Sequence, residues 1–260
     1  MASAASYRPR SATELVDGTI QLYRTNFSMF LTLGAVLSVP TLIVQWTVLG
    51  AANPSVPAVL FALAFFLIWW TVGYSLIVTV ASDLYITGTA DVSSAIPRTV
   101  ARLGPAIGAT TLGIVGVCIG LVLLVIPGIY LTLSWFAIPA VAVLEPHGPT
   151  AALARSTALS KDIRGHIGVC LTIMGLLTGA IKLLAWVVGT LLAALVHQSS
   201  PTQALLVGQF GAEIGNIFLG ALAPIMATLL YYDARIRKEG YDIELMARSV
   251  CGTATPATAY

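Results

Sequence analysis

Apolar residues fall in six long blocks along the chain, separated by short polar connections, and this alternation predicts a helical membrane protein. The blocks cover approximately residues 27–49, 58–82, 105–126, 129–145, 167–196 and 206–231. A helix rises about 1.5 Å per residue, so about 20 apolar residues cross the roughly 30 Å hydrocarbon core of a bilayer. The fourth block is the shortest and contains Pro139, where a kink is expected because the ring removes a backbone hydrogen bond that neighbouring helices must make good. Pro127-Gly128 reads as the turn between the third and fourth spans. The fifth block is longer than the bilayer, so its outer end, 187–196, is expected to protrude or to bend along the interface.

Amphipathic stretches precede three of the spans. Ser11-Ala12-Thr13-Glu14 has the spacing of a capping box, in which serine and glutamate satisfy each other's free backbone amides. Behind it Val16, Ile20, Tyr23 and Phe27 form a helical stripe. Similar stripes come before the third span (Val92, Ile96, Val100, Leu103) and the fifth (Ala152, Leu153, Ser156, Leu159). Such helices are expected to lie flat at the interface, apolar side toward the acyl chains. The fold class is therefore all-α, a polytopic bundle of about six transmembrane helices. Its expected organisation is an N-terminal segment over 1–26, a membrane domain over 27–231 and a mixed basic and acidic tail over 232–260.

Composition strengthens this reading. Charged residues make up 9% of the 260 and apolar residues 57%, with a mean hydropathy of +0.90. A soluble domain carries roughly 25% charge, so lipid is the expected solvent for most of this chain. The net charge of +2 matters less than its placement. Arg8, Arg10 and Arg24 precede the first span, and Arg98 and Arg102 lie between the second and third. Arg155, Lys161 and Arg164 lie between the fourth and fifth, and Arg235, Arg237, Lys238 and Arg248 follow the sixth. The positive-inside rule puts all of these, and both termini, in the cytoplasm. The opening MASAASYRPR has no apolar core of a signal peptide, so the first span is expected to be retained.

Lys182 and Glu213 are the two full charges deep within apolar blocks, and intramembrane charge is a default functional-site hypothesis. Counted from the basic ends of their helices, they reach similar depth, near the outer boundary of the hydrocarbon. Gln209, Glu213, Asn216 and Gly220 share one helical face. Three readings stay open: a structural ion pair, separate snorkelling to the interface, or a substrate or ion site. Glycines at helical spacing (Gly168, Gly175 and Gly189; Gly116 and Gly120; Gly211 and Gly215) predict close helix packing. Arg155, Lys161, Arg164, Arg235, Arg237 and Lys238 are candidate sites for lipid headgroups, anionic ones included.

Cys118 and Cys170 lie within apolar blocks and read as small buried hydrophobes, whereas Cys251 lies in the polar tail. His147, His166 and His197 meet no metal-ligand spacing, and no phosphate loop, HExxH or GxSxG occurs. Catalytic residues, metal, cofactor and nucleic acid are thus not expected, and the chain reads as a non-enzyme. Two functions fit: a non-catalytic accessory that binds lipids or organises a membrane-protein partner or a second copy of itself, or a small permease or amphiphile transporter working through the Lys182–Glu213 stripe.

Two stretches carry a family resemblance. One is Pro127-Gly128-Ile129-Tyr130-Leu131, followed by Ile138-Pro139, Leu144-Glu145, Ala151-Ala152-Leu153 and Arg155-Ser156. The other is the run from Leu230 through Tyr231-Tyr232-Asp233-Ala234-Arg235 to Tyr241-Asp242, and Glu14, Leu15 and Tyr23 fit at the start. Together they resemble the glycerophosphoryl diester phosphodiesterase membrane-domain family of bacterial multi-span proteins. The resemblance implies fold and a cytoplasmic-membrane location. It implies no phosphodiesterase activity, because the soluble barrel that gives the family its name is not in this chain. The family often carries an arginine where this sequence has Ser134.

Overall fold

The computed structural model describes residues 9–49, 53–197 and 201–241. Among these the chain is all-α, with ten α-helices and no strand. α1 spans Ala12–Thr25, and α2 (Phe27–Val44) runs on into a π-helical turn at Gln45–Leu49. α3 (Val56–Thr87) and α4 (Val92–Leu123) have 32 residues each. The short helices α5 (Val125–Ser134), α6 (Ile138–Leu144) and α7 (Pro149–Ser160) follow. α8 (Arg164–His197), α9 (Pro201–Leu219) and α10 (Leu222–Glu239) complete the bundle. Five segments are long and apolar enough to cross a membrane, and α9 with α10 makes a sixth if their 40° bend falls within one span. The protein is a multi-pass helical membrane protein.

Where the helices break, the broken backbone is satisfied locally. α5 and α6 are separated at Trp135–Ala137, ahead of Pro139 in the first turn of α6. Ser156 of α7 repairs the gap: its Oγ donates to the Ser134 carbonyl at 3.0 Å and accepts the Ala137 N–H at 3.2 Å. Such repair by a neighbouring helix lets non-helical backbone persist at membrane depth. The turn between α4 and α5 is at Leu124, whose backbone is extended, and not at Pro127-Gly128. Pro127 is instead in the first turn of α5, where a missing N–H goes unnoticed. Gly128 is there for packing, since a Cβ would meet Leu121 at 2.4 Å.

The core lies at the end of the bundle that carries the basic residues, and α10 is its hub. Almost every residue from Leu222 to Ile236 is buried, against α1, α3, α6, α7 and α8. The capping box of α1 is present, with Ser11 Oγ accepting the Glu14 N–H and Glu14 accepting the Ser11 N–H. The amphipathic stretches differ from expectation in where they point. In α1 Leu15, Val16 and Tyr23 pack into this core, and in α7 so do Ala152, Ser156 and Leu159, so these faces meet protein in place of acyl chains. The stretch before the third span is no separate helix but the first turns of α4, with Ile96 and Val100 exposed. Residues 232–239, placed by sequence in the tail, continue α10 with Tyr232, Asp233 and Ala234 buried. Arg8, Cys251, Arg248 and the rest of the tail beyond Tyr241 lie outside the described residues.

Away from this core the helices present apolar side chains outward, including Leu63, Val122, Ile126, Leu184 and Leu195. Cys118 is on this exposed side, unlike the buried Cys170. α8 is one continuous helix of 34 residues, about 51 Å long, which is longer than the bilayer core. α8 and α9 pack as the closest pair in the bundle, along Gly189, Gly208 and Gly211. A Cβ on Gly211 would meet the Ala185 carbonyl at 2.5 Å, the close backbone approach that small residues permit in lipid. Gly175 and Gly179 face open space and take no part in it.

Candidate binding cavity

Lys182 and Glu213 come together, with Asn216 between them. Lys182 Nζ donates to Asn216 Oδ1 at 2.7 Å, and Asn216 Nδ2 donates to Glu213 Oε1 at 3.4 Å. Among the described residues no direct Lys182–Glu213 ion pair forms; the amide carries the link. Asn216 and Glu213 lie three apart on α9, hence on one face. The Lys182 stem crosses α9 where there is no side chain, so that a Cβ on Gly215 would sit 3.6 Å from Lys182 Cγ. Gly220 ends α9, its N–H bonding the Asn216 carbonyl at 2.7 Å. A Cβ there would come within 2.9 Å of Asn216 Oδ1, so glycine keeps the amide where it is.

This polar group is one wall of a cavity of about 370 Å³. Lys182, Gln209, Glu213 and Asn216 line that side. Phe66, Trp69, Trp70 and Tyr74 of α3 line another, and Ser38 and Thr41 of α2 join the two. The volume is at the small end of the range typical of ligand pockets. The α9–α10 break at Gly220–Ala221 also borders it, so the 40° bend is at the cavity and not elsewhere in the span. Trp70 is 51% exposed, so the aromatic wall reaches the outer, lipid-facing surface of the bundle. Along α3 the cavity is bordered by residues of the middle of the helix, from Phe66 to Ile77.

Two of the three donors on the aromatic wall are engaged. Trp69 Nε1 donates to the Leu37 carbonyl at 2.7 Å, and Tyr74 Oη to the Ala223 carbonyl at 3.5 Å. The wall therefore offers ring faces and edges and the Trp70 N–H. Phe66, Trp69, Trp70 and Tyr74 were not singled out from sequence. Their i, i+3, i+4, i+8 spacing does mark one face of a helix, but nothing in it says that the face looks at Lys182.

The six basic residues proposed for headgroups are mostly engaged by the protein itself. Arg155 Nε bonds Glu145 Oε2 at 3.0 Å, and its Nη1 reaches Glu239 Oε1 at 2.5 Å. The hydrogen bond to Glu239, then that to Glu145, raises the Arg155 pKa above its ordinary value, against the opposing effect of burial. Arg235 pairs with Glu239 at 2.9 Å and stacks over Tyr241. Arg237 pairs with the buried Asp233 at 2.7 Å, while Asp233 also accepts the Arg10 N–H at 2.8 Å. Lys238 pairs with Asp162 at 2.8 Å and holds that carboxyl below its usual pKa. Arg164 donates to Ser134 Oγ at 3.0 Å and covers the Tyr130 ring. Lys161 alone of the six is exposed with no hydrogen bond or ion pair among the described residues.

The buried acids Glu145 and Asp233 organise this end of the molecule, and sequence analysis gave them no role. His147 and His166 lie 3.5 Å from them respectively, and the His197 side chain is outside the described residues. Among the described residues no three His, Cys, Asp or Glu converge as metal ligands would. Comparison with family models, with curated proteins and with solved structures gives no match to this chain.

Proposed function

We propose that this protein binds a lipid or similar amphiphile inside the bilayer, in the cavity beside Lys182, Asn216 and Glu213, without catalysing a reaction on it. The carrying observation is that a charged wall and an aromatic wall enclose one cavity that reaches the lipid-facing surface at Trp70. An amphiphile matches both walls and arrives from the side. The basic end is a weaker candidate for headgroups, because its cations already hold α6, α7 and α10 together. On this reading the membrane is the bacterial cytoplasmic membrane, with the basic end inward by the positive-inside rule. The family resemblance accords with it, and Arg164 beside Ser134 supplies the positive charge that the family often carries at that position.

Native mass spectrometry of the gently solubilised protein tests the proposal. The wild-type protein should retain lipid, and Ala212→Phe, which fills the cavity, should retain several-fold less at an unchanged melting temperature. Equal retention would remove the cavity as the site. Movement of the amphiphile across the bilayer is a second reading, favoured by the helix break at the cavity wall. Broken helices that border a midplane site are the usual architecture of secondary transporters. Flux in proteoliposomes that Glu213→Gln abolishes would establish it.

A further inference from the structure

The arrangement of charge in the cavity points to the class of ligand, and the inference rests on the binding role proposed above. Lysine and glutamate placed in contact neutralise each other and leave little for a ligand. Here the Asn216 amide holds them apart, its oxygen committed to Lys182 and its nitrogen to Glu213. An ammonium has three donors and a carboxylate about four acceptor sites. Each group spends one of these on Asn216, so both retain capacity while the wall as a whole is neutral. A purely anionic ligand would satisfy Lys182 and meet repulsion from Glu213. A purely cationic one would do the reverse. Trp69, Trp70 and Tyr74 line the same cavity as this pair, with the Trp69 N–H already engaged. Their ring faces attract an ammonium, which is how aromatic cages recognise substituted amines.

We infer that the cavity selects a zwitterion bearing phosphate and ammonium, as in phosphoethanolamine or phosphocholine headgroups, its phosphate toward Lys182 and its ammonium between Glu213 and the Trp69–Tyr74 wall. Size agrees with a headgroup. A volume of about 370 Å³ is on the order of a dozen water volumes. That accommodates such a headgroup and excludes two acyl chains, which would lie outside along the exposed surface at Trp70.

The test uses the full chain in detergent micelles, equilibrated with equal amounts of phosphatidylethanolamine and phosphatidylglycerol and read by native mass spectrometry. The wild-type protein should favour phosphatidylethanolamine by about tenfold, the scale of one charge-assisted contact. Glu213→Gln keeps the shape and leaves the wall positive, so it should shift the preference toward phosphatidylglycerol. Lys182→Met should weaken retention of both. Free phosphoethanolamine that displaces the bound lipid would assign the headgroup alone as sufficient ligand, whereas failure to displace assigns the intact lipid. A wild-type preference for phosphatidylglycerol that Glu213→Gln leaves unaltered would overturn the zwitterion while keeping a lipid in the cavity. Retention that Ala212→Phe leaves unaltered would instead remove the cavity reading itself.

Discussion

Tyr231 donates its hydroxyl to Glu145 Oε1 at 2.7 Å, joining the middle of α10 to the end of α6 across 86 residues of chain. The same carboxylate accepts from Arg155, and Arg155 reaches Glu239 farther along α10. α6, α7 and α10 are thus tied by one network of alternating charge. A buried hydrogen bond to a charged group contributes about 1.5–3 kcal/mol. Tyr231→Phe should therefore lower the thermal stability of the solubilised protein more than Tyr232→Phe, which gives up only a neutral bond to Ser82. Equal losses in the two variants would mean that Glu145 finds another donor.

Ser156 is the second tie. It serves both sides of the α5–α6 break, so Ser156→Ala leaves a buried amide and a buried carbonyl without that partner. The expected loss is about 1–3 kcal/mol. Thr157→Ala is the comparison, since Thr157 accepts only from the Trp135 indole and donates to its own helix. Its loss of stability in a detergent melt should be clearly the smaller.

Glycines that look alike in sequence should behave oppositely. Gly34→Ala puts a Cβ 2.5 Å from the Ile217 carbonyl and Gly211→Ala puts one 2.5 Å from that of Ala185. Both should destabilise by about 1–3 kcal/mol, because backbone must move. Gly175→Ala meets nothing and gains helix propensity, so it should be neutral or stabilising by up to about 1 kcal/mol. Melting temperatures of the three variants decide this, and a loss at Gly175 equal to that at Gly211 would contradict the packing described.

Lys182 and Glu213 should be energetically coupled, and Asn216 should carry the coupling. Polar contacts between membrane helices average about 0.6 kcal/mol. A double-mutant cycle of Lys182→Met and Glu213→Gln should show an interaction of that order in the wild-type background. It should vanish in Asn216→Ala. Persistence without Asn216 would indicate direct pairing.

Orientation is read from the tail. The positive-inside rule predicts cytoplasmic termini, so Cys251, which lies outside the described residues, should react with a membrane-impermeant maleimide only after cells are opened. Serine at positions 118 and 170 makes Cys251 the sole target. Labelling in intact cells would invert the orientation assigned from lysine and arginine.

The sequence by itself determined the helices, the approximate spans and the asymmetry of charge. Hydropathy is a sum over neighbouring residues, and each of Phe27–Val48, Val56–Thr87 and Arg164–Leu195 contains enough apolar surface to need lipid or protein around it. Lys182 and Glu213 were legible for the same reason, since a charge in an apolar run stands out locally. What the tertiary structure decided is which faces meet. Val16 and Tyr23 form an apolar stripe equally suited to acyl chains or to a protein core, and only the packing against α10 chose the core. Arg155 was countable as a cation, but Glu145 and Glu239 engage it because α6 and α10 pack beside α7. The amide between Lys182 and Glu213, and the Phe66–Tyr74 wall that lines the same cavity, depend on how α8, α9 and α3 are rotated about their axes. The close contacts at Gly189, Gly208 and Gly211 seat α8 against α9, Gly34 seats α2 against α9 and Gly73 seats α3 against α2, relations between distant residues that no local pattern contains.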